Sequence, residues 1–473
     1  MVTGVEIGKA VASPTKNFFV RMLTRDIELQ DALLDLLDNC VDGIIRSGGS
    51  GLETYEGYSA TITLEPDYFS IEDNCGGIPI EIAKKYAFAM GRPPGADELE
   101  GPATVGMYGI GMKRAIFKLG SHAVVESCND VGFSVEFSAE WMQTDSWEDL
   151  PIYELDSNSR AGYTKVEVID LNSESSSAFA ESAWIDDFRK VIARHYSIII
   201  DKGFSVIVGS RKEIETGLAA ISSAEFKLLS TDEVRGGGKI APYVYAGQLE
   251  GVDVEIYAGL YRELLTESEA EAEESTRGSI DDAGWTIACN DRVVVWKDKS
   301  RLTGWGEADV PNYHGQFIAI TGIVLLKAND PKLLPLTTTK RGIDGSSNLY
   351  SEIKDLMREA TKSLTTFTNR WKKFPADLEE IYKGARYLGL EQLRAMPAEA
   401  TTTSRRMPSI KKIEPSYPVP VREVTSVRVV FDALKEDVAL VSDHYFGDER
   451  VKPGVAAGAA FSEVVARLRR GEA

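Results

Sequence analysis

The sequence predicts an α+β fold divided into several domains, and three observations lead to this prediction. The chain has 473 residues, whereas a single hydrophobic core stops growing at about 250–300 residues. Apolar residues recur at helical spacing from about residue 24 to 46. Strand-like runs then alternate with short helical patterns as far as about residue 169, which is typical of an α/β layer.

Local patterns place the elements of the first domain, residues 1–175. The first helix ends at about residue 47, where a Ser-Gly-Gly sequence terminates the periodic run. Further helices are expected at about residues 80–89 and directly after the glycines at 106–111. Strands are expected at residues 60–64, 68–71, 122–128, 132–138 and 163–169.

Composition divides the remaining chain into four segments. Strand-like runs predict a second α/β domain over residues 176–345, and a helical pattern follows over 346–400. A basic, Pro-containing stretch without periodicity predicts a linker over 401–424. The last segment, 425–473, is expected to form a small α/β module with an alternating strand at 427–431 followed by helices.

Composition and charge exclude some functional classes. The 73 acidic and 53 basic residues leave a net charge of -20, which repels nucleic acid unless basic groups are clustered locally. Four cysteines lie far apart without paired metal spacing, so we expect reduced thiols and a cytoplasmic protein. The sequence has neither a signal-peptide pattern at its start nor an apolar stretch of membrane-spanning length, so we expect no membrane.

An acidic helical face is the first candidate site. Asp35, Asn39 and Asp42 are spaced i, i+4 and i+7 and project from one side of the first helix, with Asp38 alongside. Like charges this close repel, and a cation in front of them would relieve the repulsion. The Asn39 amide oxygen is a ligand type that Mg²⁺ accepts. The alternative is the ordinary wet face of an amphipathic helix.

A carboxylate and two glycines follow the strand-like run at 68–71. Asp73 stands at the strand end, and Gly76 and Gly77 allow the backbone to turn or to approach another group closely. A carboxylate there can accept a hydrogen bond from an exocyclic amine, which distinguishes adenine from guanine. The alternative is a simple turn rich in Asp, Asn and Gly.

A third motif places three glycines before a helix. Gly106, Gly109 and Gly111 precede Lys113 and Arg114. Backbone without side chains at a helix N-terminus offers unpaired N–H groups and a positive dipole end to phosphate oxygens. The motif is weak when it stands alone, and its spacing differs from the dinucleotide-binding fingerprint.

The order of these motifs resembles that of the GHKL ATPases, the group of gyrase, heat-shock chaperones, histidine kinases and MutL. DLLDNCVDG, DNCGGI, VGMYGIGMK and GYTKVEV occur in the family's order and cover roughly residues 17 to 170. The resemblance implies a Bergerat-type α/β sandwich that binds ATP and Mg²⁺. It also implies an ATPase.

The resemblance implies a role for individual residues. Asn39 would coordinate Mg²⁺, Asp73 would bind adenine with support from Thr164, and Asp35 occupies the position of the general base. Gly77 would allow close packing of the adenine. The other implied nucleotide-binding residues lie on the first helix, in the turn and in the phosphate-binding lid: Asp42, Ile78, Gly106, Tyr108, Gly109, Ile110, Gly111, Met112 and Lys113.

Two residues depart from the family pattern. The base in hydrolytic members is usually Glu, and Asp35 is one methylene shorter, so slow hydrolysis is expected because positional errors near 1 Å cost about a hundredfold in rate. Cys75 stands where the family has a glycine, which affects the expected geometry of the turn more than adenine binding.

The second domain resembles the transducer domain of the MutL, topoisomerase and MORC branches. IACNDRVVVW, from Ile287, is similar to their Asn-x-Arg strand, and LPLTTTKRGID, from Leu334, is similar to their lysine loop. The resemblance implies that Lys340 reaches the γ-phosphate and acts in catalysis. The alternative is that Lys340 and Arg341 are ordinary surface cations in a loop.

The combined resemblance implies an ATP-dependent homodimer that opens and closes as a clamp, closest to the MORC and MutL-like branch. A DNA transaction such as defence or repair would use basic residues of the linker, unless these belong to a solvated tether. The basic residues are Arg405, Arg406, Lys411 and Lys412. Two alternatives stay open. One is a chaperone-like ATPase with protein clients, and the other is a module that senses ATP without hydrolysing it.

Overall fold

The structure is a computed structural model and is α+β, with mixed sheets and helices. It describes residues 15–48, 53–89, 110–144, 149–155, 160–233, 237–264, 282–337, 342–372, 374, 378–396, 402–403, 410–420 and 429–471. None of the helices in these ranges is long and apolar enough to cross a membrane. The chain divides into two compact units, Met1–Pro420 and Val421–Ala473.

The first sheet contains the strands predicted for the first domain. Its strands are β1 (Ser59–Glu65), β2 (Tyr68–Asp73), β3 (Gly120–Cys128), β4 (Gly132–Phe137), β5 (Ile152–Glu154), β6 (Tyr163–Leu171) and β7 (Ser205–Gly209). Their order is β5-β4-β3-β6-β2-β1-β7, and all neighbours are antiparallel except β1 and β7. Buried and half-buried residues alternate along β1, so one face of the sheet is apolar.

Helices precede, connect and follow these strands, and α2 packs on the apolar face of the sheet. They are α1 (Lys16–Arg25), α2 (Leu29–Gly48), α3 (Ile80–Ile82) with a π-helical turn (Ala83–Ala87), α4 (Gly111–Leu119), α5 (Ala139–Gln143), α6 (Ser173–Ala180), α7 (Ser182–His195), α8 (Ser197–Asp201) and α9 (Arg211–Glu215). Leu33, Leu37 and Ile44 of α2 are almost completely buried in the same core as the inward residues of β1 and β2. Helix α2 is therefore held by its apolar stripe, and its polar stripe faces the candidate site.

The first sheet continues beyond residue 175, where we expected a domain boundary. The Ser-rich stretch after Asn172 forms α6, because the Asn172 side chain accepts a hydrogen bond from the Ser175 N–H and caps the helix. Strand β7, which we assigned to the second domain, pairs in parallel with β1. Ser and Asn favour helix starts as well as loops, so composition alone did not separate the two.

The second sheet is also mixed. The strands of this region are β8 (Lys227–Ser230), β9 (Tyr243–Leu249), β10 (Val252–Leu260), β11 (Gly284–Cys289), β12 (Arg292–Asp298), β13 (Ile320–Lys327), β14 (Arg386–Gly389), β15 (Thr402–Thr403) and β16 (Ile410–Ile413). The sheet order is β12-β11-β13-β10-β9-β16-β15, with β11 and β13 parallel, while β14 pairs with β8 separately.

A long helix covers the second sheet, as the helical pattern of residues 346–400 predicted for its first half. It is α10 (Asn348–Trp371), and α11 (Leu378–Ile381) and α12 (Leu390–Ala395) follow it. Tyr350, Ile353 and Met357 of α10 are almost fully buried in the core of this sheet. Single 3-10 turns lie at Arg301–Thr303, Gly315–Phe317 and Pro331–Leu333.

The segment that we expected to be a linker, residues 401–424, contributes strands instead. Strand β16 pairs with β9, and the Trp371 indole donates to the Pro418 carbonyl at 2.9 Å. Lys412 is paired with Glu359 and, at 2.8 Å, with Glu414. Two lysines inside this strand made the sequence resemble a polar linker, although a strand near the edge of a sheet accepts charged side chains when they find ion-pair partners. Arg405 and Arg406 lie outside the described residues.

The C-terminal unit consists of two helices in its described part, α13 (Lys435–Phe446) and α14 (Pro453–Arg469). We expected a strand at residues 427–431, but residues 429–434 have no regular structure, and Val427 lies outside the described residues. Alternating apolar residues form a strand only when a neighbouring strand satisfies their backbone groups.

Candidate functional site

Helix α2 carries the first predicted site residues. Asp35 lies where α2 contacts α4, and the Arg114 guanidinium donates to the Asp35 carboxylate from Nε at 3.1 Å and also from Nη2. Both side chains are mostly buried, with 14% of Asp35 and 16% of Arg114 exposed. We expected a cation to relieve the repulsion on this acidic face. At Asp35, an arginine of the protein itself provides that cation.

Asn39 and Asp42 occupy the next two turns of the same face. Asp42 is only 3% exposed, so it points into the domain. Asn39 is half-buried, and its amide makes no hydrogen bond to any residue that the structure describes. The two residues thus lie on one side of α2, as their spacing predicted, with Asp42 in the interior and Asn39 nearer the surface.

Asp73 is the last residue of β2 and lies beneath α2. Its Oδ1 accepts a hydrogen bond from the Cys75 N–H at 2.8 Å, whereas the neighbouring Cys40 and Cys75 thiols donate to backbone carbonyls. Burial raises the pKa of Asp73 to about 6, although the nearby hydrogen-bond donors and Arg46 act in the opposite direction. Burial also raises the pKa of both thiols, which therefore stay protonated donors at neutral pH.

The turn after Asp73 requires its glycines. Gly76 and Gly77 have φ angles of +106° and +69°, which glycine adopts without strain. A Cβ on Gly77 would lie 2.4 Å from the carbonyl oxygen of Cys128, and a Cβ on Gly43 of α2 would lie 2.6 Å from that of Cys75. The turn is thus pressed between α2 and β3. Cys75 has an ordinary backbone conformation, so a side chain is tolerated there.

The two reasons for glycine at position 77 can be separated by mutation. Gly77→Ala should reduce the free energy of unfolding by about 3 kcal/mol or more, because it combines a left-handed φ with a backbone clash. Gly57 also has a positive φ, but nothing lies within 4 Å of its Cβ position. Gly57→Ala should therefore cost only about 1–2 kcal/mol. Urea unfolding of both variants measures the difference, and equal losses would contradict the close contact.

Thr164 connects Asp73 to a residue that we did not predict. Thr164 of β6 pairs with Asp73 of β2 on one side and with Ser127 of β3 on the other. Paired residues of antiparallel strands project from the same face, so the three form a polar row across the sheet. Ser127 is fully buried, its Oγ lies 2.9 Å from Thr164 Oγ1, and it accepts from the Ile78 N–H at 2.8 Å.

Ser127 therefore ties the glycine turn to the sheet. Its sequence signal was weak, because a serine near the end of an alternating strand is usually a surface residue. Only the register of β3 against β6 shows that it lies opposite Thr164. We refer to Asp73, Thr164 and Ser127 as the polar row.

The start of α4 is the described part of the predicted phosphate-binding motif. Gly111 begins the helix, Ile110 is its N-cap residue, and no described side chain caps the first turn. Met112 is half-buried. Lys113 is 2% exposed and its Nζ donates to the Ala87 carbonyl at 2.8 Å, so in this structure it braces the preceding helical turn. The remaining predicted lid residues, Gly106, Tyr108 and Gly109, lie outside the described residues.

The predicted lysine loop is only partly described. Lys340 and Arg341 lie outside the described residues. On either side of them, Leu336 forms a β-bridge with Ile343, and the Thr337 N–H donates to the Gly342 carbonyl at 3.1 Å. The residues on the two sides of this gap are therefore held together by backbone pairing.

The donor set suits a metal ion that arrives with a ligand. Within the described ranges, no group of three or more His, Cys, Asp or Glu side chains could hold a metal ion. A site with a single amide oxygen such as that of Asn39 fits Mg²⁺, which usually keeps several waters and is bound together with substrate phosphates.

Comparisons with known proteins assign no family to the chain. No protein-family model matches the sequence, and no curated protein matches it either.

Stability should depend on the ionisation of Asp73. Its folded pKa of about 6 exceeds the ordinary 3.8, so the folded state holds the proton more tightly and stability falls as pH rises through this window. The Asp73→Asn variant has an amide at this position, which does not titrate in this range. The free energy of unfolding of the wild type relative to Asp73→Asn should decrease by about 1–3 kcal/mol between about pH 4 and 6.5. Urea unfolding at several pH values tests this, and a constant difference would contradict it.

Proposed function

We propose that this chain is an Mg-ATP-binding ATPase of the GHKL type that works as a nucleotide-gated dimeric clamp. One observation supports this most strongly. Helix α2 approaches the start of α4 at Asp35, where a Cβ added to Gly111 would lie 3.5 Å from Asp35 Cβ, and it approaches the glycine turn at Gly43. The two contacts are eight residues apart, about 12 Å along the helix axis. Asn39 lies between them.

This spacing supports a nucleotide that lies along α2. At one end, the polar row offers the Asp73 carboxylate as an acceptor for the amine of adenine, with Thr164 and Ser127 behind it. At the other end, the first turn of α4 offers backbone N–H groups to phosphate oxygens. Asn39 would hold the Mg²⁺, which neutralises phosphate charge when bound.

The protein's own groups would then carry out hydrolysis slowly. Asp35 would accept a proton from the attacking water, and Arg114 holds the Asp35 carboxylate in place. The guanidinium also competes for the oxygen that would take the proton, which lowers the reactivity of this base. Lys340 would contact the γ-phosphate and draw the second sheet toward the first.

One specific observation favours a second candidate, a module that senses ATP without hydrolysing it. The Asp35–Arg114 ion pair is mostly buried and engages the carboxylate with two donors. If this pair persists when nucleotide binds, no base remains and only the binding step is left. Turnover by the wild type therefore separates the two candidates.

DNA is the client that we propose for the clamp, acting in a transaction such as defence or repair, in a cytoplasmic protein. The chain is acidic overall, so binding has to come from local basic groups. Lys412 is engaged with Glu359 and Glu414 and is therefore a poor candidate. Lys411 on the same strand, Arg405 and Arg406 are the candidates that remain. Affinity for a duplex that falls steeply with salt would support DNA, and no measurable affinity would favour a protein client.

Calorimetry and sedimentation test the proposed function. Titration with Mg-ATP, with Mg-GTP as the matched control ligand, should show binding of ATP only. Asp73 accepts from the 6-amino group of adenine, and guanine has an acceptor oxygen at that position. Sedimentation with a non-hydrolysable ATP analogue should show a dimer that the protein without nucleotide does not form. Absence of binding by both nucleotides would overturn the proposal.

A further inference from the structure

A tight hairpin of the second sheet contacts helix α2. Strands β11 and β12 are joined by Asn290 and Asp291, whose φ angles of +47° and +66° define a two-residue turn of type I′. The Asn290 side chain accepts from the Ala328 N–H at 3.0 Å and donates to the Ala328 carbonyl at 3.1 Å. These bonds attach the turn to the end of the neighbouring β13. We call residues 290–292 the hairpin tip.

Arg292 of the hairpin tip forms a buried ion pair with α2. Its Nε donates to Asp38 Oδ1 at 2.8 Å, and its Nη1 donates to the His195 carbonyl at 3.1 Å. The guanidinium stacks on the Tyr196 ring at 4.2 Å, and the Tyr196 hydroxyl donates to Asp38 and to the Leu34 carbonyl. Only 12% of Arg292 and 13% of Asp38 are exposed.

This arrangement holds the planar guanidinium on several sides at once. Burial and Arg292 lower the pKa of His195 to about 4, so His195 is neutral at physiological pH and does not compete with Arg292 for Asp38. The Arg292 guanidinium donates to a carboxylate and to a carbonyl while it stacks on a ring, so it has only one orientation. A lysine ammonium group would not reproduce these contacts. The pair therefore specifies where this part of α2 lies relative to the second sheet.

Asp38 is the residue directly before Asn39. We propose that Arg292 is a positioning residue that acts through Asp38 to set the Asn39 amide, and that the hairpin tip thereby couples the nucleotide site to the second sheet. The inference rests on the proposed function. Displacement of α2 by a ligand at Asn39 would change the Asp38–Arg292 contact, which joins α2 to strand β12 of the second sheet and has little solvent to compensate for its loss.

The neighbouring residue Asp291 is a matched control. It is also a buried charge of the hairpin tip, but its partners are Lys202, the Tyr55 hydroxyl at 3.3 Å and Lys327 at 3.7 Å. None of these three lies on α2. Loss of a buried charge at position 291 thus disturbs the same interface without touching the helix that carries Asn39.

The test compares Arg292→Met with Asp291→Asn in the full-length chain. The first measurement is hydrogen exchange of the α2 amides without nucleotide. Arg292→Met should accelerate exchange in the turn around Asn39 by about tenfold or more relative to Asp291→Asn. The second measurement is the affinity for ATP with Mg²⁺ and with EDTA. The factor by which Mg²⁺ increases the affinity for ATP, called the Mg²⁺ gain, should fall about tenfold in Arg292→Met. It should stay at the wild-type value in Asp291→Asn.

The two measurements separate failure of this inference from failure of the proposed function. If the wild type binds no ATP, the proposed function fails, and α2 exchange still decides whether Arg292 positions the helix. Equal α2 exchange in the two variants would overturn the inference. An Mg²⁺ gain that falls equally in both variants would overturn it too, because a general weakening of the interface would then explain the result. Arg292→Lys, which keeps the charge, should restore less than half of the lost Mg²⁺ gain.

Discussion

Asp73→Ala should reduce affinity for Mg-ATP by about a hundredfold or more. A hydrogen bond to a charged group contributes about 1.5–3 kcal/mol, and its loss also leaves the amine of the base without an acceptor in a partly buried position. The Asp73 carboxylate lies at the end of β2 with Thr164 beside it. Titration calorimetry of the variant with Mg-ATP measures the loss directly.

Glu72→Ala is the control for this substitution. Glu72 precedes Asp73 on β2, is exposed and projects from the opposite face of the sheet. Its removal changes the net charge equally, but should leave affinity within about twofold of the wild type. Asp73→Asn separates charge from shape, because it retains an acceptor oxygen and should lose less affinity than Asp73→Ala. Equal affinities of the Asp73→Ala and Glu72→Ala variants would exclude the polar row as the base-binding site.

Asp35→Ala should retain ATP binding but lose turnover by about a hundredfold or more, the usual contribution of a general base. The side chain lies beside the first turn of α4, where the phosphates are proposed to bind, and not beside the polar row. Affinity should therefore change little. Steady-state phosphate release and calorimetry on the same preparation separate the two effects.

Two further variants show how Asp35 works. Asp35→Glu restores the residue that the hydrolytic GHKL enzymes use, and its longer side chain should raise turnover above the wild type if reach is the limitation. Arg114→Met releases the carboxylate and should raise turnover if the ion pair suppresses the base. If the wild type has measurable turnover and Asp35→Ala keeps it, Asp35 is not the base. If the wild type has none while ATP binds, the sensing module is the better description.

Much of the first domain could be predicted from local pattern. The spacing of Leu33, Leu37 and Ile44 predicted α2, because a stripe at helical period has to be buried against a neighbour. The alternating runs predicted β1, β3 and β6 for the same reason at period two. Helix α1 was missed, since Phe18 and Met22 are largely exposed and gave no buried stripe to detect.

Errors occurred where a partner distant in sequence decides the structure. Strand β7 was assigned to the second domain because nothing in residues 205–209 indicates pairing with β1. Strand β16 was taken for a linker because its pairing with β9 lies more than 160 residues away in sequence. The apolar residues at 429–431 were taken for a strand because their pattern was right, although no partner is present among the described residues.

Local sequence pattern was sufficient to predict the types of most elements, and the order of Asp35, Asn39, Asp73 and the glycine turn is the one on which the resemblance to the GHKL ATPases rests. These properties depend on backbone conformation and on residues close in sequence, which local periodicity records. The family and the activity remain proposals that nucleotide binding and turnover will test.

Which polar side chains meet depends on the tertiary structure. Asp35 is paired with Arg114, Asp38 with Arg292 and Thr164 with Ser127, whereas Asn39 has no described side-chain partner. Each of these contacts joins residues at least 37 positions apart. Their formation depends on strand register and helix packing, because a charge buried by folding has to find its partner wherever the chain brings one near.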